Sequence, residues 1–407
     1  MKIFNPILNK YVKFLLILSF ISLIIYSCTD DDGDDLFDYE DGIYYLELDG
    51  SPSQMGQKYG QAFKDIIRDS VEKYKQNVYT TFGEENGKLI IDWALTKAGF
   101  TKDLKQYLPN VYKEIESLAL AVDLPVEDIL LINMDEEITQ AAPIVLNIEP
   151  KQIITPVSTL MQAQREEEEK LCAQNTGYDN PDLDGRQMVI RYKFPNREIL
   201  IYTFIGRVGG IGVNDKGLSV LAAKLPQGKI RQSDGLGLNY VIRLLLQLDD
   251  VDNAIATLKK TRKLSSYSYA LADYKQSVIT EESDGQFVSS PMLQYPGFQC
   301  HTNHMLWIEP KNRINIPSIF ENGEPLPGQK SFYTVERLEQ AKAGLTGDLD
   351  DIDDDRLEEL LIKLNINSTG PDYKTLQSVI IEYDDDEIEM IVSAGSDPER
   401  EWDDYDF

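Results

Sequence analysis

The chain has 407 residues, 42% of them hydrophobic and 27% charged, a balance that supports a sizeable folded core and excludes disorder as the general state. A formal net charge of −29 excludes a nucleic-acid partner, because phosphate recognition needs clustered Lys and Arg to displace counterions. With three cysteines and two histidines, no disulfide framework is implied.

Lys2, Lys10 and Lys13 precede the apolar run "FLLILSFISLIIYSC" that ends at Cys28. It has the charged start and short apolar core of a secretory signal and is too short for a membrane span. Its end, "IYSC", resembles the lipobox of bacterial lipoproteins, although Tyr26 stands where a small residue is usual. The resemblance implies that Cys28 is acylated and becomes the mature N-terminus, with outer-membrane lipid as its partner. The acidic "CTDDDGDD" resembles a tag for display on the outer surface of a cell-envelope membrane. Residues 1–28 therefore read as a lipoprotein signal, 29–42 as an acidic tether and 43–407 as the folded domain.

In chain order, "YYLELDGSPSQMGQKYGQAFKDIIRD" predicts a strand turning into an amphipathic helix, with Ser51 or Ser53 as its cap. "LPNVYKEIESLALAVDLPVEDILLINMDEEI" carries Ile115, Leu118, Ala119 and Val122 at helical spacing and a break at Pro125. Past Pro156 the pattern changes to hairpins. "STLMQAQ" pairs with "LCAQN" across "REEEEK", "QMVIRYKF" with "REILIYTFIG" across Pro195 and Asn196, and a third pair meets around Asn214 to Gly217. Helices at "LNYVIRLLLQL" and "VDNAIATLKKTRK" follow, then strands at "SYALADY", "SVITEES" and "HTNHML". Helices at "SFYTVERLEQAKAGL" and "DRLEELLIKL" and a final strand pair, "LQSVIIEYDD" with "EIEMIVSAG", end the chain. Strands grouped between helical stretches predict an α+β sandwich, with helices covering stacked antiparallel sheets. The acidic "GDLDDIDDDRLEEL" puts Asp353 where an EF-hand loop needs its Gly, and so reads as a helix start favoured by the helix dipole.

A histidine-dependent hydrolase would place His301 or His304 beside a nucleophile, yet no G-x-S-x-G elbow presents a serine. Nothing local marks Cys172 as an activated thiol, although a Cys172-dependent thiol hydrolase stays open as an alternative. The His301-x-x-His304 spacing finds no third zinc ligand in the histidine and cysteine inventory. An enzyme can do without histidine if its own α-amine is the base. A Ser, Thr or Cys heading a central strand, exposed by self-cleavage, then passes its side-chain proton to its own nitrogen. "PVSTLMQAQ" supplies Ser158, with Thr159 beside it.

Several further segments occur in a telling order: "LDGSPSQMGQKYGQAF", "DLPVEDILLINMDEE", "AQNTGYDNPDLDGRQMVIR", "VGGIGVNDKGLSVLAAKLP", "YALADYKQSVITEES", "HTNHML" and "SFYTVERLEQ", the last with a Ser and Arg pattern. From about Tyr44 onward they resemble the acyl-coenzyme A:6-aminopenicillanic-acid acyltransferase family of N-terminal-nucleophile enzymes. The resemblance implies a four-layer αββα sandwich of the N-terminal-nucleophile hydrolase type. It also implies self-processing between Val157 and Ser158, cleavage or transfer of an acyl group at a small linear amide, and no metal or organic cofactor. Carried over, the family's nucleophile, usually Cys, falls on Ser158, and its strand-borne Asp on Asp179, in a stretch with extra residues. Asn303 falls on an oxyanion donor, and His301, Thr302 and His304 line the substrate pocket. A register one residue earlier puts Val157 at the nucleophile position, and the chain is then an inactive surface ligand-binding relative. Ala222 or Ala223 stands where the family has a polar residue near "LAAKL".

Overall fold

The computed structural model describes residues 36–96, 100–147, 157–165, 169–178, 180–225, 235–283, 286–294, 296–308, 320–321, 324–325, 334–347, 352–365, 374–384 and 387–407. Cys28, Asp179 and the "EEE" of the "REEEEK" turn lie outside the described residues. The chain divides into a short unit, Met1–Asp38, and a large one, Tyr39–Phe407, and the large unit carries the architecture.

Strands β1 (Asp38–Glu40) and β2 (Ile43–Asp49) lead into α1 (Pro52–Ala62). Ser51 caps α1 reciprocally: its hydroxyl accepts from the Gln54 amide, and the Gln54 side chain accepts from the Ser51 amide, which satisfies donors that a helix start leaves open. The N-terminal helical region continues as α2 (Lys64–Phe82), α3 (Glu84–Thr96), α4 (Phe100–Tyr107), α5 (Pro109–Ala121), α6 (Val126–Asn133) and α7 (Asp135–Leu146). Pro125 is the N-cap of α6, where its missing N–H costs nothing.

The expected hairpins follow as β3 (Val157–Gln164) with β4 (Lys170–Tyr178), β5 (Gln187–Phe194) with β6 (Arg197–Phe204), and β7 (Ile211–Asn214) with β8 (Ser219–Lys224). Next come α8 (Leu238–Leu245), α9 (Val251–Lys260), β9 (Tyr267–Ala272), β10 (Ser277–Ser283), β11 (Gln286–Ser289) and β12 (Gly297–His301). The chain closes with β13 (Phe320–Glu321), β14 (Glu324–Pro325), α10 (Thr334–Leu345), α11 (Asp354–Lys363), β15 (Lys374–Asp384), β16 (Glu387–Ala394) and β17 (Asp403–Tyr405). The Asp353 carboxylate accepts from the Arg356 amide and starts α11, as the acidic stretch predicts.

Two large sheets result. One has nine strands ordered β1-β2-β5-β6-β7-β8-β9-β10-β11, and the other six, ordered β12-β3-β4-β15-β16-β17. The β2–β5 pair is parallel, whereas the β3–β4, β5–β6 and β15–β16 pairs are antiparallel. The N-terminal helices lie on the nine-stranded sheet. Tyr59 of α1 donates to the Arg207 carbonyl at 3.1 Å and accepts from the Gly206 amide at 2.7 Å, and Tyr192 of β5 donates to Glu114 of α5 at 2.7 Å. On the far side, Leu338 and Ala341 of α10 and Leu357 and Leu361 of α11 pack against Met161, Ala173 and Ile380 of the six-stranded sheet.

The inner faces of the sheets are joined by amide side chains as well as by apolar contact. Gln162 donates to the Leu271 carbonyl at 3.0 Å, Gln187 to the Leu376 carbonyl at 2.9 Å, and Gln377 to the Thr203 carbonyl at 3.1 Å. The short β7 pairs with β8 only at Ser219 and Val220, and the Gln174 amide takes over the backbone edge at Ala222, both donating to its carbonyl and accepting from its N–H at 2.9 Å. Buried backbone groups must find partners, and here side chains from the facing sheet provide them. The helix–sheet–sheet–helix order is the αββα sandwich that the resemblance implies.

One local feature departs from the pattern reading. "HTNHML" is strand only as far as His301. Beyond it the amides of Trp307 and Ile308 bond to the Glu281 carboxylate and that of Asn303 to Thr334 Oγ1, so side chains replace a ladder. Cys172 and Cys300 are both free and buried, on opposite faces of their sheet, since Cys172 meets Gln162 on the inner face and Cys300 packs into the α10–α11 core.

Candidate active site

Strand alternation sorts the side chains of β3 into two sets. Thr159, Met161 and Ala163 turn toward α10 and α11, where Thr159 Oγ1 meets Arg337 and the other two join the apolar core. Ser158 shares the opposite face with Gln162, whose amide reaches the nine-stranded sheet. Ser158 is fully buried beside Thr176 of β4, and its hydroxyl has no hydrogen-bond partner among the described residues. A buried hydroxyl without a partner costs roughly 1–3 kcal/mol.

Asn303, two residues past the end of β12, is the hub of the site. Its Oδ1 accepts from the Ser158 backbone nitrogen at 2.8 Å and from Arg337 Nη2 at 2.9 Å, and its Nδ2 donates to the Lys224 carbonyl at the end of β8 at 2.9 Å. Its own amide donates to Thr334 Oγ1 at 2.9 Å. One side chain thereby ties β3, β8 and α10 together.

Arg337 lies one turn into α10 and is buried. Its Nη1 donates to the Ser158 carbonyl at 2.7 Å and to Thr159 Oγ1 at 2.8 Å. Burial lowers its pKa to about 9, so it stays cationic at neutral pH beside the Ser158 backbone.

His301 and Thr302 are enclosed. His301 Nε2 bonds the Glu281 carboxylate at 2.8 Å and its Nδ1 the Thr302 carbonyl at 2.6 Å. Thr302 Oγ1 donates to the Thr334 carbonyl at 2.9 Å, and the half-buried His304 lies 3.0 Å from both the Thr302 and Thr334 hydroxyls. The structure thus brings Ser158 and Asn303 into direct contact and gives His301 and Thr302 partners within the fold. Asp179 lies outside the described residues.

Glu281 and Arg337 were not singled out as site residues from sequence. For Arg337 the signal was the Ser and Arg pattern of "SFYTVERLEQ". For Glu281 it was an acidic residue at an inward position of the strand "SVITEES". On the helix side of β8, Lys224 approaches Glu136 of α7 at 3.9 Å, both buried. Burial raises the Glu136 pKa, with Asp135 and Glu137 adding to the rise and Lys224 opposing it. Cys172 carries no thiolate character, because burial pushes its pKa up to about 11. Among the described residues no grouping of His, Cys, Asp and Glu suits a metal ion.

Residues 164–394, over half of the chain, match the family model described as acyl-coenzyme A:6-aminopenicillanic acid acyl-transferase. The chain belongs to this family. The matched region of this family member includes Asn303 and Arg337 and begins beyond Ser158, and the family's description is that of an acyltransferase. Among solved structures, the penicillin V acylase from Agrobacterium tumefaciens is similar at 14% identity with a TM-score of 0.38, covering 58% of this chain and 82% of that one. No curated protein matches the chain.

Proposed function

We propose that the chain is an amide hydrolase, or an acyltransferase when an amine replaces water, in which self-cleavage after Val157 makes Ser158 a chain terminus. The observation that supports this reading is the setting of Ser158, whose nitrogen faces Asn303 Oδ1 at 2.8 Å while its buried hydroxyl turns to the space between the sheets. Once freed, that nitrogen has an acceptor to orient it. The nearby Arg337 cation disfavours a second positive charge and so lowers the pKa of the α-amine, which favours the free base.

The Ser158 hydroxyl then adds to the carbonyl carbon of the amide as its proton passes to the α-amine. Collapse breaks the C–N bond, and the α-ammonium returns the proton to the departing amine. Water attacks the resulting ester by the same relay and releases the carboxylic acid. Asn303 holds the amine through Oδ1, and the resemblance assigns oxyanion donation to the same residue. Asp179 is the residue proposed to hold the ammonium. It is Ser158, not Val157, whose nitrogen meets Asn303, which favours the Ser158 register over the inactive one.

Denaturing electrophoresis and N-terminal sequencing test the reading. The wild-type chain should give two fragments, one beginning at Ser158 and labelled by a β-lactone probe, and Ser158→Ala should stay whole. A folded wild-type chain that remains intact and unlabelled would point instead to an inactive ligand-binding relative. The proposed envelope location through acylated Cys28 predicts labelled-palmitate incorporation that Cys28→Ala abolishes; incorporation that survives this change rules it out.

A further inference from the structure

We propose that the cavity bounded by α1, α5, α8 and the β5–β6 turn binds a small organic carboxylate, its charged end directed at Arg243. The cavity has a volume of about 250 Å³, space for roughly eight water-sized groups at about 30 Å³ each. Its inner wall includes the buried Met55, Val111 and Arg243, and its rim carries three exposed amide side chains, Asn110, Asn196 and Gln247.

Arg243 is the feature that calls for a ligand. It is 1% exposed, and its Nε and Nη1 have no hydrogen-bond partner among the described residues. The guanidinium lies 3.5 Å from the Tyr192 ring centroid, with Phe194 at 5.4 Å, which fixes its plane. Nη2 reaches Glu114 Oε2 at 3.3 Å, and the other Glu114 oxygen accepts from Tyr192 at 2.7 Å. The fold therefore holds a buried cation rigid, uses one of its nitrogens, and leaves two buried donors of a cavity-lining residue without a partner among the described residues. Unmade donors on a buried charged group are costly, and an acceptor brought by a ligand removes that cost.

The class of ligand follows from the surroundings. A guanidinium suits a carboxylate in planar geometry, and among the charged residues lining the cavity Arg243 and Arg197 outnumber Glu114, which leaves room for one further negative charge. Met55, Val111 and Phe194 offer an apolar surface to a short hydrocarbon portion, and the rim amides suit a polar outer end. A phosphate would bring more charge than this wall neutralises, into a chain of net charge −29. The cavity lies on the helix side of the nine-stranded sheet near Arg197 and is separate from Ser158, which faces the inter-sheet space. The proposal does not depend on the reaction proposed above.

Calorimetry and thermal denaturation of the full-length protein with sodium butyrate test it, with butyramide and sodium chloride at matched ionic strength as controls. Butyrate should bind saturably and raise the melting temperature, with butyramide clearly weaker. Arg243→Lys should weaken butyrate about tenfold or more, the size of effect expected from losing a charge-assisted hydrogen bond. Gln247→Trp, placed at the exposed rim, should block entry in a protein that still melts cooperatively, and it decides the question if Arg243→Lys does not fold. Butyrate effects no greater than those of chloride, equal binding of butyramide, or butyrate binding unchanged in Gln247→Trp would overturn the assignment.

Discussion

Glu281 of β10 and His301 of β12 are bonded at 2.8 Å, both fully buried, across the gap between the two sheets. The same carboxylate accepts from the amides of Leu306, Trp307 and Ile308, and so sets the path of the chain around Asn303. The two His301 nitrogens face the Glu281 carboxylate and the Thr302 carbonyl. Burial pushes the Glu281 pKa up, but the hydrogen bond and charge of His301 and the Leu306 and Ile308 amides together hold it below the ordinary 4.5. Glu281→Gln keeps the shape and removes the charge. It should lower stability by on the order of 3 kcal/mol, the size of effect seen when a buried pair is broken. The check is a lower urea midpoint with an unchanged slope.

A buried arginine that touches the backbone of a proposed nucleophile should control its proton affinity. Under the Ser158 reading, Arg337→Gln removes the cation that keeps the α-amine unprotonated. Hydrolysis of an N-acyl p-nitroanilide should fall about a hundredfold for the loss of one or two charge-assisted hydrogen bonds. The rising limb of its pH profile should also move to higher pH. A purely structural role would slow the reaction and leave the profile where it is.

The acidic surface over α11 and β15 should make stability depend on pH in the direction opposite to a salt-bridged carboxylate. Burial, then repulsion from Asp354, Asp355 and Asp404, raises Glu358 to about 7, and burial with Asp354, Glu389 and Asp384 raises Glu382 to about 7 despite Arg165. The folded chain therefore binds more protons than the unfolded one between about 4.5 and about 7. These two groups favour folding most below pH 4.5, and that contribution is lost as pH rises through 7. Glu382→Gln should raise the melting temperature at pH 8 and have little effect at pH 5. An equal shift at both values would show that the charge is not the cause.

Gly56 sets the separation of α1 and α5. A Cβ there would stand 2.0 Å from the Glu114 carbonyl oxygen and 3.0 Å from the Leu118 nitrogen, backbone atoms that cannot turn aside. Gly56→Ala should cost on the order of 1–3 kcal/mol as the helices are forced apart. Because Glu114 carries Tyr192 and Arg243, butyrate binding at the cavity should weaken as well. Chemical denaturation measures the first effect and calorimetry the second.

The periodic elements were readable because local rules and tertiary structure agree on them. The Ser51 cap, the break at Pro125 and the hairpins over 157–178 and 187–204 all lie where the pattern places them, since each depends on neighbours within a few residues. "HTNHML" is the instructive exception. The pattern reading makes it a strand, but Glu281 and Thr334 take the backbone donors that a ladder would have used.

By itself the sequence determined the alternation of helices and strands, the strong net negative charge, and Ser158 and Asn303 as residues worth pairing. These follow from periodicity, from charge and from resemblance, which are properties of a linear string. Only the tertiary structure decided that Asn303 offers its carbonyl to the Ser158 nitrogen, that Arg337 joins them, and that Glu281 braces the loop. Those contacts join residues 25 to 179 positions apart. Such distant pairs become specific only when stacked sheets exclude water and leave each buried polar atom few partners within reach.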